Sequence, residues 1–156
     1  MPRDWAVKDA GVIRASLELS VSQRLALIHK SVIELMREFN PDQIAIERAF
    51  HGKNPSSSIK LGEARGVLIG AASACGLPVM EYSPSHIKMT VAGFGNASKE
   101  QVALALQTIL KFSRGALPAD ASDAVAIALT CGIAMSGTLG SKLSSQRFSD
   151  SNSRSR

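Results

Sequence analysis

The chain has 156 residues, 45% apolar and 20% charged, which suits one globular domain with a core of its own. Eighteen Lys and Arg against thirteen Asp and Glu leave a formal net charge of +5, which fits a polyanionic partner without requiring one. Its two distant cysteines, Cys75 and Cys131, exclude a disulfide framework and a cysteine metal cluster. Both lie in alanine-rich apolar segments and read as buried free thiols in a reducing compartment. The opening MPRDWAVKDAG carries charge and no apolar h-region, so it does not read as a secretory signal. No uninterrupted apolar run is long enough to span a bilayer. The expectation is a cytoplasmic, single-domain protein with no membrane partner.

Residues 11–17, GVIRASL, read as a short strand. Ser20 with Gln23 makes a capping box, and Val21, Leu25, Ile28, Val32, Leu35 and Phe39 then recur at helical spacing until Asn40-Pro41-Asp42 ends the helix. Residues 43–47, QIAIE, read as the next strand, and HGKNPSSS after it as a polar loop. The pattern over 59–74 is helical but carries Gly62, Gly66 and Gly70 near one face. Glycine costs roughly 1 kcal/mol against alanine inside a helix, so the stripe predicts close packing there.

Gly76 is a stop signal, and 78–82, PVMEY, read as a third strand. Ser83-Pro84 opens a short helix, with serine as cap and proline in the first turn. Ser98 with Gln101 is a second capping box, for a helix whose apolar side is Val102, Leu104, Ala105, Ile109 and Leu110. Residues 114–118 read as a linker, and a last helix covers Ala119–Met135. From Ser136 the chain is Ser, Gly and charge, which predicts a domain over 1–136 and a tail without fixed structure over 137–156. Strands alternating with helices imply an α/β layered fold.

Glu47 closes a strand whose preceding residues look buried, and α/β sheets place their sites at strand C-terminal ends. A solvated glutamate at a strand end is the commoner occurrence of that pattern. Asp120 and Asp123 lie three apart in PADASDAVAIAL and share a helix face in its first turn. Capping and the helix dipole explain such a pair as well as metal ligation does. Together with Glu47 they offer three hard oxygen ligands, the kind Mg²⁺ prefers, and two Mg²⁺ ions can activate water and stabilise the leaving oxygen of a phosphodiester. Lys53, Lys60, Arg65, Lys88, Lys99 and Arg114 are available for phosphate contacts, although each alone is more often a solvated surface charge. Phe50, just before the polar loop, is either core or an exposed wedge for stacking on bases. His29, His51 and His86 lack metal-ligand spacing.

IAIERAF, the KN in the polar stretch after it, and KLGEARGV resemble the signature around the second catalytic carboxylate of the RuvC family of Holliday junction resolvases. EYSPSHIKMTVAGFGNASKEQV resembles that family's basic segment, and ADASDAVAIAL its final catalytic helix. The resemblance runs from about residue 11 to about 135. It implies a ribonuclease-H-like fold, a sheet flanked by helices. It implies a homodimer that cuts two strands of a four-way DNA junction symmetrically in recombination and repair, using two Mg²⁺ ions per site and working with a branch-migration motor complex. By the same resemblance Glu47, Asp120 and Asp123 match the second, third and fourth catalytic carboxylates. Phe50 matches an aromatic that enters the junction centre, and Lys88 and Lys99 match basic residues near the scissile phosphate.

The departure is at the N-terminus. The family opens with an apolar strand ending in an Asp-Pro-Gly-like motif, whose Asp is the first metal ligand, followed by a second strand. MPRDWAVKDAG does not resemble this, and neither Asp4 nor Asp9 follows an apolar strand. The fold is therefore expected to lack the first strands, either because the true start lies upstream or because the chain is a remnant. A non-catalytic junction-binding protein is the alternative to the nuclease. Strand 43–47 is expected to keep one sheet partner, 78–82. Either residues 11–17 move inward to pair with 43–47, or the bare edge leaves the chain prone to aggregate.

Overall fold

The computed structural model describes residues 5–48, 55–111 and 118–152, with only the backbone described at 55–56 and beyond Gly137. Among the described residues five helices and two strands follow in the order α1 (Val21–Phe39), β1 (Ile44–Glu47), α2 (Pro55–Ala74), β2 (Val79–Tyr82), α3 (Pro84–Ala92), α4 (Lys99–Leu110) and α5 (Ala119–Asn152).

The helix starts are set by local hydrogen bonding. At α1 the Gln23 amide donates to Ser20 Oγ at 3.3 Å and the Ser20 amide donates back to Gln23 Oε1 at 2.9 Å. At α4 the Gln101 amide donates to Ser98 Oγ at 3.3 Å and the Ser98 amide to Gln101 Oε1 at 2.8 Å. Each box satisfies two amides that a helix start leaves without partners. Asn40 ends α1 in the left-handed conformation, φ 42°, with its amide bonded to the Met36 carbonyl. Ser98→Ala is expected to cost about 1 kcal/mol in urea unfolding, because α4 carries Val102 and Leu106 into the core.

β1 and β2 are parallel, in the register Ile44↔Val79 through Glu47↔Tyr82, with α2 as the crossover. The Ile44 amide donates to the Pro78 carbonyl and the Arg48 amide to the Tyr82 carbonyl. By strand alternation, Ala45 and Glu47 turn their backbone groups to the other edge. Among the described residues the sheet has no third strand. Residues 11–17 are irregular rather than a strand, and they do not close that edge. Their alternating pattern fits a pleated ladder, but a strand exists only against a partner, and Leu17 stays 85% exposed.

Helices cover both faces of the sheet. On one side Met36 of α1 packs with Ala71 and Ala72 of α2, against Ile44 and Val79. On the other, Ile87 and Val91 of α3, Val102 and Leu106 of α4, and Val125, Ala126 and Leu129 of α5 form the larger core. Trp5 packs on this core, and a Cβ added at Gly132 would lie 2.7 Å from its ring. Trp5 is the chain's only tryptophan. Gly132→Ala should therefore push the indole toward water and shift its fluorescence to the red.

Three expectations need correction. A Cβ at Gly62, Gly66 or Gly70 would meet nothing within 4 Å, so the stripe opens to space rather than packing within this chain. Cys75 is exposed, because it follows the last turn of α2 where the helix leaves the core; only Cys131 is buried. The α5 backbone does not stop at Met135 but stays helical to Asn152, since nothing in 136–152 is a proline and propagation costs less than nucleation. Residues 119–137 of α5 are long and apolar enough to cross a membrane by composition, and here Val125, Ala126 and Leu129 within them are core residues.

Candidate active site

Glu47 is exposed at the C-terminal end of β1, directly after buried Ile46. Asp120 stands in the first turn of α5 and Asp123 one turn further on, both exposed. Lys99 is the first residue of α4, placed by the Ser98 cap, and Lys88 lies on α3. The packing of α3, α4 and α5 around β1 brings four of these side chains together. Glu47, Asp123, Lys88 and Lys99 line one cavity of about 190 Å³, whose apolar walls include Ile87, Val102, Ala126 and Ile127.

Lys99 Nζ donates to Asp123 Oδ2 at 3.0 Å. Both side chains are largely exposed, so the pair does little for stability, and Lys99→Ala should leave the melting temperature almost unchanged. Its meaning is electrostatic. The Lys99 ammonium is held charged above its ordinary range by the hydrogen bond and charge of Asp123, then by the charges of Asp120 and Glu47. All three carboxylates thus act on one cation, but they do not converge equally. Asp120 lines a different, larger groove of about 890 Å³ with residues 8–13, α1 and Ala64 and Leu68 of α2.

The donor set has the right chemistry for a hard cation. Its arrangement is a different matter: among the described residues no group of three or more His, Cys, Asp or Glu side chains could hold a metal ion. Two carboxylates face the shared cavity, and one of them is engaged by Lys99. These residues as placed do not by themselves make a metal site.

Phe50, together with Lys53, His51 and Arg114, lies outside the described residues. Lys60 lies on the rim between α2 and α1, near Arg24 and Glu63. Arg65, read from the sequence as a possible phosphate contact, is instead tied inward to Glu81 and to the Glu47 backbone. The signal for this was Glu81 itself, a charge inside a four-residue strand that otherwise reads VM-Y.

His86 stacks on Tyr82 with ring centroids 5.7 Å apart. Burial, then the hydrogen bond to Cys131 and its charge, push the Tyr82 hydroxyl up to about 12. Cys131 Sγ also accepts from Gln43 Nε2 at 2.8 Å, so this cluster ties α5 to β2 and to the residue that leads into β1. A pKa raised by folding means that neutral Tyr82 stabilises the fold fully below about pH 10, and that this contribution is lost as pH rises toward about 12. Tyr82→Phe should flatten the stability profile in that window, measured by urea unfolding at a series of pH values.

The chain is similar to known proteins over most of its length. A family model described as crossover junction endodeoxyribonuclease RuvC matches residues 3–131. The RuvC of Hydrogenovibrio crunogenus is 46% identical over 120 residues, covering 77% of this chain and 69% of that protein. The RuvC of Dichelobacter nodosus is 45% identical over 122 residues, covering 78% and 68%. Among solved structures, T. thermophilus RuvC in complex with Holliday junction substrate superposes with a TM-score of 0.76 at 34% identity, covering 80% of this chain and 76% of that one. Thermus thermophilus RuvC in a second structure gives 0.74 at 34% identity, covering 80% and 75%.

Proposed function

The chain belongs to the RuvC family of crossover junction endodeoxyribonucleases, with its ribonuclease-H-like fold, and on that basis we propose that it is a Holliday junction resolvase. It would bind four-way DNA as a homodimer and hydrolyse one phosphodiester in each of two opposed strands. The observation that carries this reading is the shared cavity, where Glu47 and Asp123 face Lys88 and Lys99. Two ammonium groups beside two carboxylates can hold a phosphodiester and position a water against it. The lysines neutralise the phosphate, a carboxylate accepts the water's proton as its oxygen bonds to phosphorus, and the P–O3′ bond breaks, the leaving 3′-oxygen taking a proton from solvent. Phosphate binding draws Lys99 away from Asp123, which frees that carboxylate for its task.

The cofactor in this proposal is Mg²⁺, two ions per site, with Glu47, Asp120 and Asp123 as ligands. Because the described carboxylates do not gather to three, the proposal needs a further carboxylate on a strand beside β1. Phe50 enters the junction centre, and the branch-migration motor complex is the further partner. The setting is the bacterial cytoplasm, and the nuclease domain is 1–136, with the continuation of α5 and the residues after it adding nothing to the site.

Lys88→Ala and Lys99→Ala should each weaken junction binding and lower the slope of log K against log salt by about 0.9, the release of one phosphate's counterions. Unchanged binding in both variants across several salt concentrations would remove the lysines from the interface.

A second reading is a junction-binding protein without catalysis, and the observation that favours it is the lack of a three-carboxylate group among the described residues. The two readings separate on one gel. The nuclease cuts a synthetic four-way junction in Mg²⁺, whereas the binding protein only retards it.

A further inference from the structure

We propose that Arg65 is a positioning residue for Glu47, a role that rests on the nuclease reading above. The strand geometry creates the need. The Ile44 and Arg48 amides are bonded to β2, so the Glu47 carbonyl points to the open edge, where no strand among the described residues takes it. Arg65 reaches it from α2. Its Nη1 donates to the Glu47 carbonyl oxygen at 3.0 Å, and its Nη2 sits 2.6 Å from Glu81 Oε2 on β2. The Arg65 side chain is 18% exposed. One planar guanidinium thus joins α2 to the backbone of one strand and to a side chain of the other.

The consequence falls on the carboxylate. Glu47 is the last residue of β1, and its peptide to Arg48 is held on one side by the Arg48 amide's bond to the Tyr82 carbonyl and on the other by Arg65. A fixed carbonyl fixes the Glu47–Arg48 peptide plane, and with it the direction of the Glu47 side chain toward Asp123. Misplacement of a reacting group by about 1 Å can cost about 10²-fold in rate. Arginine suits this better than lysine, because its fork makes two bonds of fixed relative direction, where an ammonium would hold one partner as a point charge. Glu81 holds the second arm and so aims the first.

The test uses the full chain with Arg65→Gln, Arg65→Lys and Glu81→Gln, read two ways. By hydrogen exchange, Arg65→Gln should raise exchange of the Arg48 amide about 10-fold relative to the Ile44 amide, at the other end of the same strand. In Glu-labelled protein the Glu47 carboxyl carbon signal should broaden or split. Arg65→Lys should restore neither fully, and Glu81→Gln should show the same changes to a smaller degree. In junction cleavage, Arg65→Gln should lower the single-turnover rate by at least about 10-fold with junction affinity within about 2-fold. Loosening of Ile44 and Arg48 alike, with a large drop in melting temperature, would make Arg65 a scaffold residue only and overturn the proposal. A weaker junction affinity with a flatter salt dependence would make it a phosphate contact and overturn it too. If the junction is not cleaved even by a form carrying the further strand and its carboxylate, the nuclease reading fails by itself. The exchange ratio and the Glu47 carbon signal still decide whether Arg65 orients Glu47.

Discussion

A version of the chain extended by an apolar strand that ends in aspartate is expected to cut four-way junctions about 10²-fold faster than the chain as given, under identical Mg²⁺. The structure shows where such a strand fits. Beside β1 lies a cavity of about 490 Å³, walled by Leu61, Ala64 and Leu68 of α2 on one side and by Ala124 and Ile127 of α5 on the other. Ala64 and Leu68 also line the larger groove that holds Asp120, so the two spaces adjoin. The gap between the two helix layers is lined mainly by apolar side chains, with Arg65 at its end; an entering strand would pair at Ala45, whose backbone groups point outward, and stop short of the Glu47 carbonyl that Arg65 holds. A buried strand in such a place wants apolar residues on both faces. Its aspartate, arriving at the strand end, would stand beside Glu47 and supply the carboxylate that the described residues lack. The melting temperature should rise with the rate, because the same insertion fills the gap. Equal rates for the two forms would show that a ligand already in the chain, Asp9 or another, completes the site.

Glu47→Gln and Asp123→Asn should each lower junction cleavage by about 10²-fold or more while junction affinity holds or improves. Both substitutions keep shape and remove charge. Neither residue supports the core, since both are exposed and face the shared cavity. Asp123→Asn also releases Lys99, which then has one carboxylate fewer to neutralise and is freer to meet phosphate. Affinity should therefore rise slightly in that variant and not in Glu47→Gln. Asp120→Asn is the informative third case, because Asp120 lies on the neighbouring groove and acts on Lys99 more weakly than Asp123 does. A smaller loss in Asp120→Asn than in the other two is expected for the chain as given, and an equal loss for the extended form. Single-turnover rates at saturating protein measure all three.

Much of this architecture is legible in the amino-acid sequence. Both capping boxes sit where Ser20/Gln23 and Ser98/Gln101 put them, because a cap depends on four consecutive residues and little else. The strands over 43–47 and 78–82 are visible from their apolar runs, and their parallel pairing agrees with the helix between them. The three motifs that resemble the family bring Glu47, Lys88, Lys99 and Asp123 to one cavity. What is not legible is whatever depends on a distant partner. GVIRASL has the pattern of a strand, but a ladder needs a neighbour, and these residues do not pair with the open edge of β1. The glycine stripe signals close approach, but among the described residues nothing lies within 4 Å of where its side chains would begin. Arg65 cannot be told from a surface cation by spacing along its own helix, because its partners, Glu81 and the Glu47 carbonyl, are set by a crossover; the one hint is the charge of Glu81 inside a short strand.

The most direct measurement is cleavage of a synthetic four-way junction in Mg²⁺ by the chain as given and by its extended form, with linear duplex of the same sequence alongside. The expected result is paired nicks at symmetry-related positions in two opposed strands, leaving 5′-phosphate and 3′-hydroxyl ends. These should be slow with the chain as given, fast with the extended form, and absent from the duplex. Retardation of the junction with no cutting by either form, or cutting of duplex and junction at equal rates, would contradict the assignment.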